Sequence, residues 1–399
     1  MSKNIEKKAD QYAILPRGVY TKHDMEISSL FFGRIQFELT VAFFYAFMGF
    51  SVGLAFLLTE GFSFKRDHLQ HFNSETFRVW LRVFALALFS TFALGFLTII
   101  EMGLIWPVMI GRMGNAFGPL MLCAVVVFVV LKSTALDVML FGKQRASVTQ
   151  YRWAMWLVLM GLCLVAYFVI VFDSWSRQPV GTMLIDGRNQ IYDWVALFLQ
   201  PNAMIQSVEF LLQSIYASVC LLLGFAAWQS KVRPLQSDQT VHLNRALIWG
   251  LFTLSLHVVL ILFLNQNGNM PEKFESQLIV FRIWLGFCIA LGLWLVAACL
   301  SLTFSGQLKF RLIFILAIPI GIAVSVLAWL TKNEFRGDFA MMNVAKSAQY
   351  ITTTPTAWLA LGLSLLFMLF TLIIYGFVRL SCQAMTQGVV PVVKVGVKS

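Results

Sequence analysis

Few side chains inside the long apolar stretches of this chain could hold a proton, an ion or a metal. They are Arg82, Glu101, Lys132, Asp137, Glu209 and Arg282, with one imidazole, His257. An ionisable group in hydrocarbon is costly, so each is a candidate for ion pairing, proton transfer or ligand binding. Arg82 and Arg282 lie near the ends of their stretches, where a long side chain reaches the interface. Lys132 sits deep, five residues before Asp137, and five residues of α-helix turn about 140°, which puts the two on different faces. Lys132 is therefore expected to be buried against a carboxylate or carbonyl of another helix, with Glu101 as its partner, in a structural ion pair or a proton-handling role. His257 could ligate a haem iron or bond a backbone carbonyl. His68 and His71 stand three apart in a polar loop without an acid cluster, a weak metal spacing. The six cysteines form no CxxC pair and read as small buried hydrophobes. No nucleophile elbow, phosphate loop or zinc signature is present.

The elements that must position these groups are membrane helices. About 20 mostly apolar residues cross a bilayer. Nine stretches approach or exceed that length: Leu39 to Leu58, Val83 to Ile100, Phe117 to Phe141, Trp153 to Phe172, Phe210 to Trp228, Ala246 to Leu264, Leu278 to Leu302, Leu312 to Leu330 and Ala357 to Tyr375. Continuous runs exclude a strand-based barrel, whose lipid-facing residues alternate. The chain is 59% hydrophobic and only 12% charged, which fits helices whose outer faces meet lipid. The sequence therefore predicts an all-α polytopic protein of nine transmembrane helices: a polar, basic tail over residues 1–30, a membrane domain over 31–380 and a C-terminal tail over 381–399.

A net charge of +11 invites a nucleic-acid reading, but the basic residues cluster beside the stretches, as the positive-inside rule requires. No nucleic-acid partner is expected. Placing the N-terminus outside puts Lys65, Arg66, Lys143, Arg145, Lys231, Arg233, Lys309 and Arg311 in cytoplasmic loops, with the C-terminus on the same side. The basic tail argues the other way, but short loops beside spans carry the rule best. The tail has no apolar core ahead of Phe31, so it does not read as a cleaved secretory signal.

Several segments carry a resemblance. GRIQFELTVAFFYAFMGFSVGLAFLL at Gly33 to Leu58 opens it, followed in order by FALG at Phe92 to Gly95, FGP at Phe117 to Pro119 and LKSTALDVMLFG at Leu131 to Gly142. DSWSRQPVG at Asp173 to Gly181, FLQPNAMIQSVEF at Phe198 to Phe210 and FRIWLG at Phe281 to Gly286 continue it. Order and spacing resemble subunit I of the cytochrome bd quinol oxidases over nearly the whole chain from Phe31. The resemblance implies a nine-helix bundle in a bacterial inner membrane, b- and d-type haems, quinol oxidation at an extracytoplasmic loop between the sixth and seventh helices, oxygen reduction, and a subunit II-like partner.

Carried over residue by residue, the resemblance implies that the haem machinery is largely absent. The family's first-helix histidine falls at Phe44, its fifth-helix histidine at Leu212, its methionine at Trp284 and its glutamate at Asn333, beside Glu334. Iron needs a lone-pair donor, which Phe and Leu lack, and the indole N–H only donates. The two acidic third-helix positions fall at Ala124 and Lys132. The quinol loop is reduced to residues 265–277, so quinol binding in the usual manner lacks its segment. Arg34, Arg282, Trp329 and Arg336 match the family, and the arginines could meet haem propionates or pair with Glu38 or Glu209.

Three readings follow. The first is a structural or regulatory subunit without haem, paired with a subunit II-like or other multispan partner in a respiratory complex. The second is an active oxidoreductase with at most one haem on relocated ligands, Met48 and His257. The third is a transporter or ligand-binding protein reusing the vacated haem cavities.

Overall fold

A computed structural model describes residues 22–63, 75–105, 107–142, 146–177, 179–185, 188–230, 235, 237–266 and 274–305, with seven helical positions between 362 and 376. Seven helices in it are long and apolar enough to cross a membrane: Gln36–Gly61, Phe77–Leu104, Asn115–Phe141, Val148–Ser176, Trp194–Gln229, Gln239–Phe263 and Leu285–Thr303. They coincide with the first seven predicted stretches, and the all-α polytopic class stands. The eighth, Leu312 to Leu330, lies outside the described residues. Of the ninth, Gly362, Leu365, Leu366, Leu369, Leu372, Ile373 and Gly376 are helical.

In chain order the elements are α1 (Lys22–Ser63), α2 (Glu75–Ile105) and α3 (Pro107–Leu131), then a π-helical turn (Lys132–Leu136) continued by α4 (Asp137–Phe141). They are followed by α5 (Val148–Arg177), a hairpin of β1 (Thr182–Ile185) and β2 (Arg188–Ile191), α6 (Trp194–Phe198), α7 (Pro201–Gln229), α8 (Ser237–Gln266) and α9 (Phe274–Ser305). Helix α1 begins at Lys22, inside the segment expected to be tail. Between α8 and α9 the helical ends stand at Gln266 and Phe274, so the short connection predicted over 265–277 is partly taken up by helix.

Helices α1 and α7 form the centre. In each, 78% of the most apolar window is buried, against 28% to 39% for the other five spans. The outer helices show lipid-compatible faces instead, with Phe89, Phe92 and Phe96 of α2, Trp153 and Met160 of α5, and Phe252 and Val259 of α8 all exposed. Helix α1 packs on α2, α7 and α5, and α7 on α8, which in turn packs on α9.

Small residues let α1 and α7 meet. A Cβ on Gly53 would stand 2.0 Å from the Ser214 carbonyl oxygen, and one on Gly49 would stand 3.2 Å from Ser214 Oγ. Two glycines four apart facing serines are the small-xxx-small arrangement by which membrane helices approach closely, where dispersion between backbones replaces the hydrophobic drive that lipid removes. Ser218 Oγ donates to the Phe50 carbonyl across this seam at 3.4 Å.

The polar segment 173–202 folds rather than looping freely. The antiparallel hairpin pairs Thr182 with Ile191 and Ile185 with Arg188. Gly181 adopts φ 72°, and a Cβ there would meet the Asp193 carbonyl oxygen at 2.4 Å, so the turn demands glycine. Asp193 caps α6 by accepting from the Ala196 N–H at 3.0 Å. Strand β2 rests on α3. Beneath it a second apolar cluster gathers Phe37, Met102, Met113, Leu120, Val171, Trp175 and Leu197. Trp175 Nε1 ties the hairpin down through Thr182 Oγ1 at 3.2 Å.

Positions of the last helix run beside α1 and α2. A Cβ on Gly362 would fall 2.0 Å from Gln36 Nε2, and one on Gly376 3.0 Å from Leu86 Cδ1. The chain there runs antiparallel to α2, because Gln36 lies level with Glu101 while Leu86 is fifteen residues earlier in α2.

Candidate functional site

The side chains that meet between α1, α2, α7 and α8 are mostly hydrocarbon. Phe44 points from α1 at Gly95 of α2, where a Cβ would come within 2.8 Å of Phe44 Cε2. The ring occupies the space that glycine leaves, in edge contact with Tyr45 at 5.7 Å between centroids. Tyr45 in turn meets Phe210 of α7 edge-on at 6.3 Å. Met48, one turn on from Phe44, is 3% exposed and belongs to the main apolar core. Leu212 of α7 is buried as well. Two of the four positions that correspond to haem ligands by resemblance thus hold buried or packed hydrocarbon. Trp284 belongs to α9, with its side chain outside the description, and Asn333, Trp329 and Arg336 lie outside the described residues. Arg34 and Arg282 are helical positions of α1 and α9 whose side chains are likewise outside it.

His257 of α8 is 2% exposed. Its Nδ1 is 3.0 Å from the hydroxyl of Tyr216 of α7, and the two rings stack at 5.7 Å. The imidazole thus has a phenol as one of its partners. Tyr216 continues a stripe that charge-based reading missed: Gln206, Glu209, Gln213 and Tyr216 recur at intervals of three and four on α7, all buried. That spacing places them on one helix face, so a polar file leads along one of the two most enclosed helices to His257. Its signal was in the sequence as periodic glutamines, which a search for ionisable groups passes over.

Glu101 of α2 is 3% exposed and accepts a hydrogen bond at 2.8 Å from Gln36 Nε2 of α1, itself 2% exposed. Thr40 Oγ1 turns back to the Gln36 carbonyl at 3.0 Å. Glu101 is buried as expected, but its partner is not Lys132. Lys132, expected to be buried against another helix, is exposed in the π-helical turn, and Asp137 is exposed too. The reason is the turn itself. Its i→i+5 bonding takes up one extra residue without the rotation an α-helix would add, about 100°, which reduces the separation of Lys132 and Asp137 from about 140° to about 40°. The two therefore share the outward face. The inward face is taken by Leu131, Ala135, Leu136 and Met139, and a Cβ on Gly161 of α5 would fall 1.8 Å from Leu131 Cδ1.

Among the described residues no group of three or more His, Cys, Asp or Glu is arranged to hold a metal ion. The five described cysteines form no disulfide; Cys220 and Cys288 are buried, as their reading as small buried hydrophobes expects, while Cys123, Cys163 and Cys299 are half-buried.

The architecture has known counterparts. The bd oxidase from Geobacillus thermodenitrificans superposes with a TM-score of 0.71 over 88% of this chain and 98% of that one, at 14% identity. Cytochrome bd ubiquinol oxidase subunit 1 of Bacillus subtilis (strain 168) is 24% identical over 206 residues, 51% of this chain and 43% of the relative. Cytochrome bd-II ubiquinol oxidase subunit 1 of Escherichia coli (strain K12) is 25% identical over 198 residues, 49% of this chain and 38% of the relative. The aligned segments thus span under half the length of these relatives. The family model for cytochrome bd terminal oxidase subunit I matches residues 32–269, well over half of the chain, and the chain belongs to the cytochrome bd terminal oxidase subunit I family.

Proposed function

We propose that this protein is a haem-free member of its family, serving as a structural or regulatory subunit of a respiratory complex in the bacterial inner membrane. The observation that carries this reading is Phe44. At the place where the resemblance expects an axial imidazole, a phenyl ring fills the space above Gly95. Iron cannot be held by Phe44 or Leu212, since neither has a lone pair, and the indole of Trp284 has none in the ring plane to offer. The residues at these positions do not fit a haem, and no redox step is routed through one. A spectator substitution at one ligand would be drift. Hydrocarbon or indole at three is concerted loss.

In this reading the chain lies with its N-terminus outside and its C-terminus in the cytoplasm, surrounded by lipid on the outer faces of α2, α3, α5, α8 and α9, and pairs with a subunit II-like protein. A second reading keeps one haem. It is favoured by His257 and Met48, both buried and both chemically able to ligate iron. The Tyr216 hydroxyl at Nδ1 of His257 does not weigh against it, since an iron would take Nε2. The visible spectrum and pyridine haemochrome of the purified full chain decide between them. The expected result is no Soret band and less than a tenth of an equivalent of haem. One equivalent or more per chain overturns the proposal.

A further inference from the structure

Arg245 of α8 is half-buried, and its Nη1 is closed off from solvent yet has no hydrogen-bond partner among the described residues. No ion pair among them reaches the side chain either. A guanidinium carries five donors and keeps its charge, and a shielded donor bonded to nothing is costly. The nitrogen marks a place for an anion.

The helix sets the depth of that place. The span Gln239–Phe263 has 25 residues, about 37 Å of helix against a hydrocarbon core of about 30 Å. Arg245 stands six residues from its midpoint, about 9 Å, which leaves about 6 Å to the nearer edge. Helical side chains lean toward the N-terminus, and the N-terminus of α8 lies at that edge. The guanidinium is thereby carried to the level of lipid phosphates.

Two sides of the position differ. One turn deeper, Trp249 meets Phe56 of α1 edge-on at 5.1 Å, and one turn shallower, His242 meets Trp80 of α2 at 6.4 Å. These rings join α8 to α1 and α2 and wall Arg245 on the inner side, since residues three and four apart are neighbours on a helix. On the outer side Ile248, Phe252, Leu256 and Val259 are exposed, and their spacing of three and four makes one apolar stripe that starts at Arg245. Glu60 of α1 is half-buried and forms no ion pair with Arg245, so the cation is not neutralised from within.

We propose that the groove between α8 and the α1–α2 pair binds a phospholipid, its phosphate held by Arg245 and one acyl chain laid along the stripe from Ile248 to Val259. The planar fork of a guanidinium matches two phosphate oxygens, and the approach to it runs along hydrocarbon, which suits a lipid phosphate and not a free one. The site requires neither the orientation nor the subunit reading proposed above.

The test follows lipid binding to the purified full chain by native mass spectrometry. Dioleoylphosphatidylglycerol should fill a first site on the wild type about tenfold more tightly than on Arg245→Gln, the loss of one charged hydrogen bond. Dioleoylglycerol, with the same chains and no phosphate, should bind both alike and weakly. Arg78→Gln, which removes an exposed arginine near the start of α2, should bind as wild type does, separating a site from net charge. A photoreactive phosphatidylglycerol should label the wild type most strongly between Arg245 and Val259, a readout that stands should Arg245→Gln fail to fold. Equal affinity of wild type and Arg245→Gln, a first site that takes dioleoylglycerol as tightly, displacement of the lipid by inorganic phosphate at equal concentration, or labels spread evenly over the other lipid-facing helices overturns the site.

Discussion

Glu101 and Asp137, two of the acidic groups in the membrane spans of this protein, are handled in opposite ways. Glu101 is drawn inside, between α1 and α2, where the Gln36 amide meets it at 2.8 Å. Asp137 is turned outward with Lys132 by a π-helical turn, onto a face that the described chain leaves uncovered. The inner acid meets a neutral amide on the chain's own neighbouring helix, with Glu101 Oε2 and Gln36 Oε1 left without a hydrogen bond among the described residues. The outer pair stands on a face that the described chain does not cover, so the contrast separates a group the fold encloses from a pair it leaves outside. Perturbing the inner region should damage the isolated protein; perturbing the outer one should leave it intact.

The largest inner effect belongs to the α1–α7 seam. Gly53→Leu has no room, since even a Cβ would lie 2.0 Å from a backbone oxygen, and it should abolish folded protein on size-exclusion chromatography. Gly53→Ala should cost about 3 kcal/mol, the upper range for overpacking, because the obstructing atom is backbone and cannot rotate aside. A thermal midpoint unchanged by Gly53→Ala would show that the two helices are not in contact at this point.

Glu101→Leu comes next. It strands the buried Gln36 amide, and an unsatisfied buried donor costs about 1–3 kcal/mol. The double variant Gln36→Leu with Glu101→Leu should recover part of that loss, because neither group is then left without its partner. Equal stability of the single and double variants in a melting experiment would break the picture of an enclosed inner pair. Tyr216→Phe is smaller still. Side-chain hydrogen bonds between membrane helices contribute about 0.6 kcal/mol on average, so loss of the bond to His257 should lower the midpoint only slightly.

These contrasts mark where the sequence could be read and where it could not. Helix positions were legible because seven apolar runs had to be buried or lipid-facing, and no other arrangement satisfies their backbones. The burial of Glu101 was legible from its place in a span, but its partner was not, since charge reasoning seeks an opposite charge and Gln36 is neutral. The file of Gln206, Gln213 and Tyr216 escaped notice for the same reason. The facing of Lys132 failed on geometry: an α-helical wheel turns Lys132 and Asp137 apart, and nothing in KSTALD announces the extra residue of a π turn. The hairpin at 182–191 is not legible in the sequence because its four-residue strands are too short to show a period, and its decisive residue, Gly181, gives no sign of φ from sequence alone.

The smallest expected effect is the sharpest probe of the comparison. Lys132→Met in the isolated, detergent-solubilised chain removes no contact within the described residues, so its thermal midpoint should equal or slightly exceed that of wild type. In lipid nanodiscs the gain should be larger, because an exposed ammonium in hydrocarbon is exchanged for a thioether, and transfer scales put that difference at about 2.5–3.5 kcal/mol at a helix centre. Destabilisation of the isolated chain by Lys132→Met would mean that the lysine serves the chain's own fold. The lysine would then serve the fold as Glu101 does, and the contrast between the enclosed acid and the outward pair would disappear.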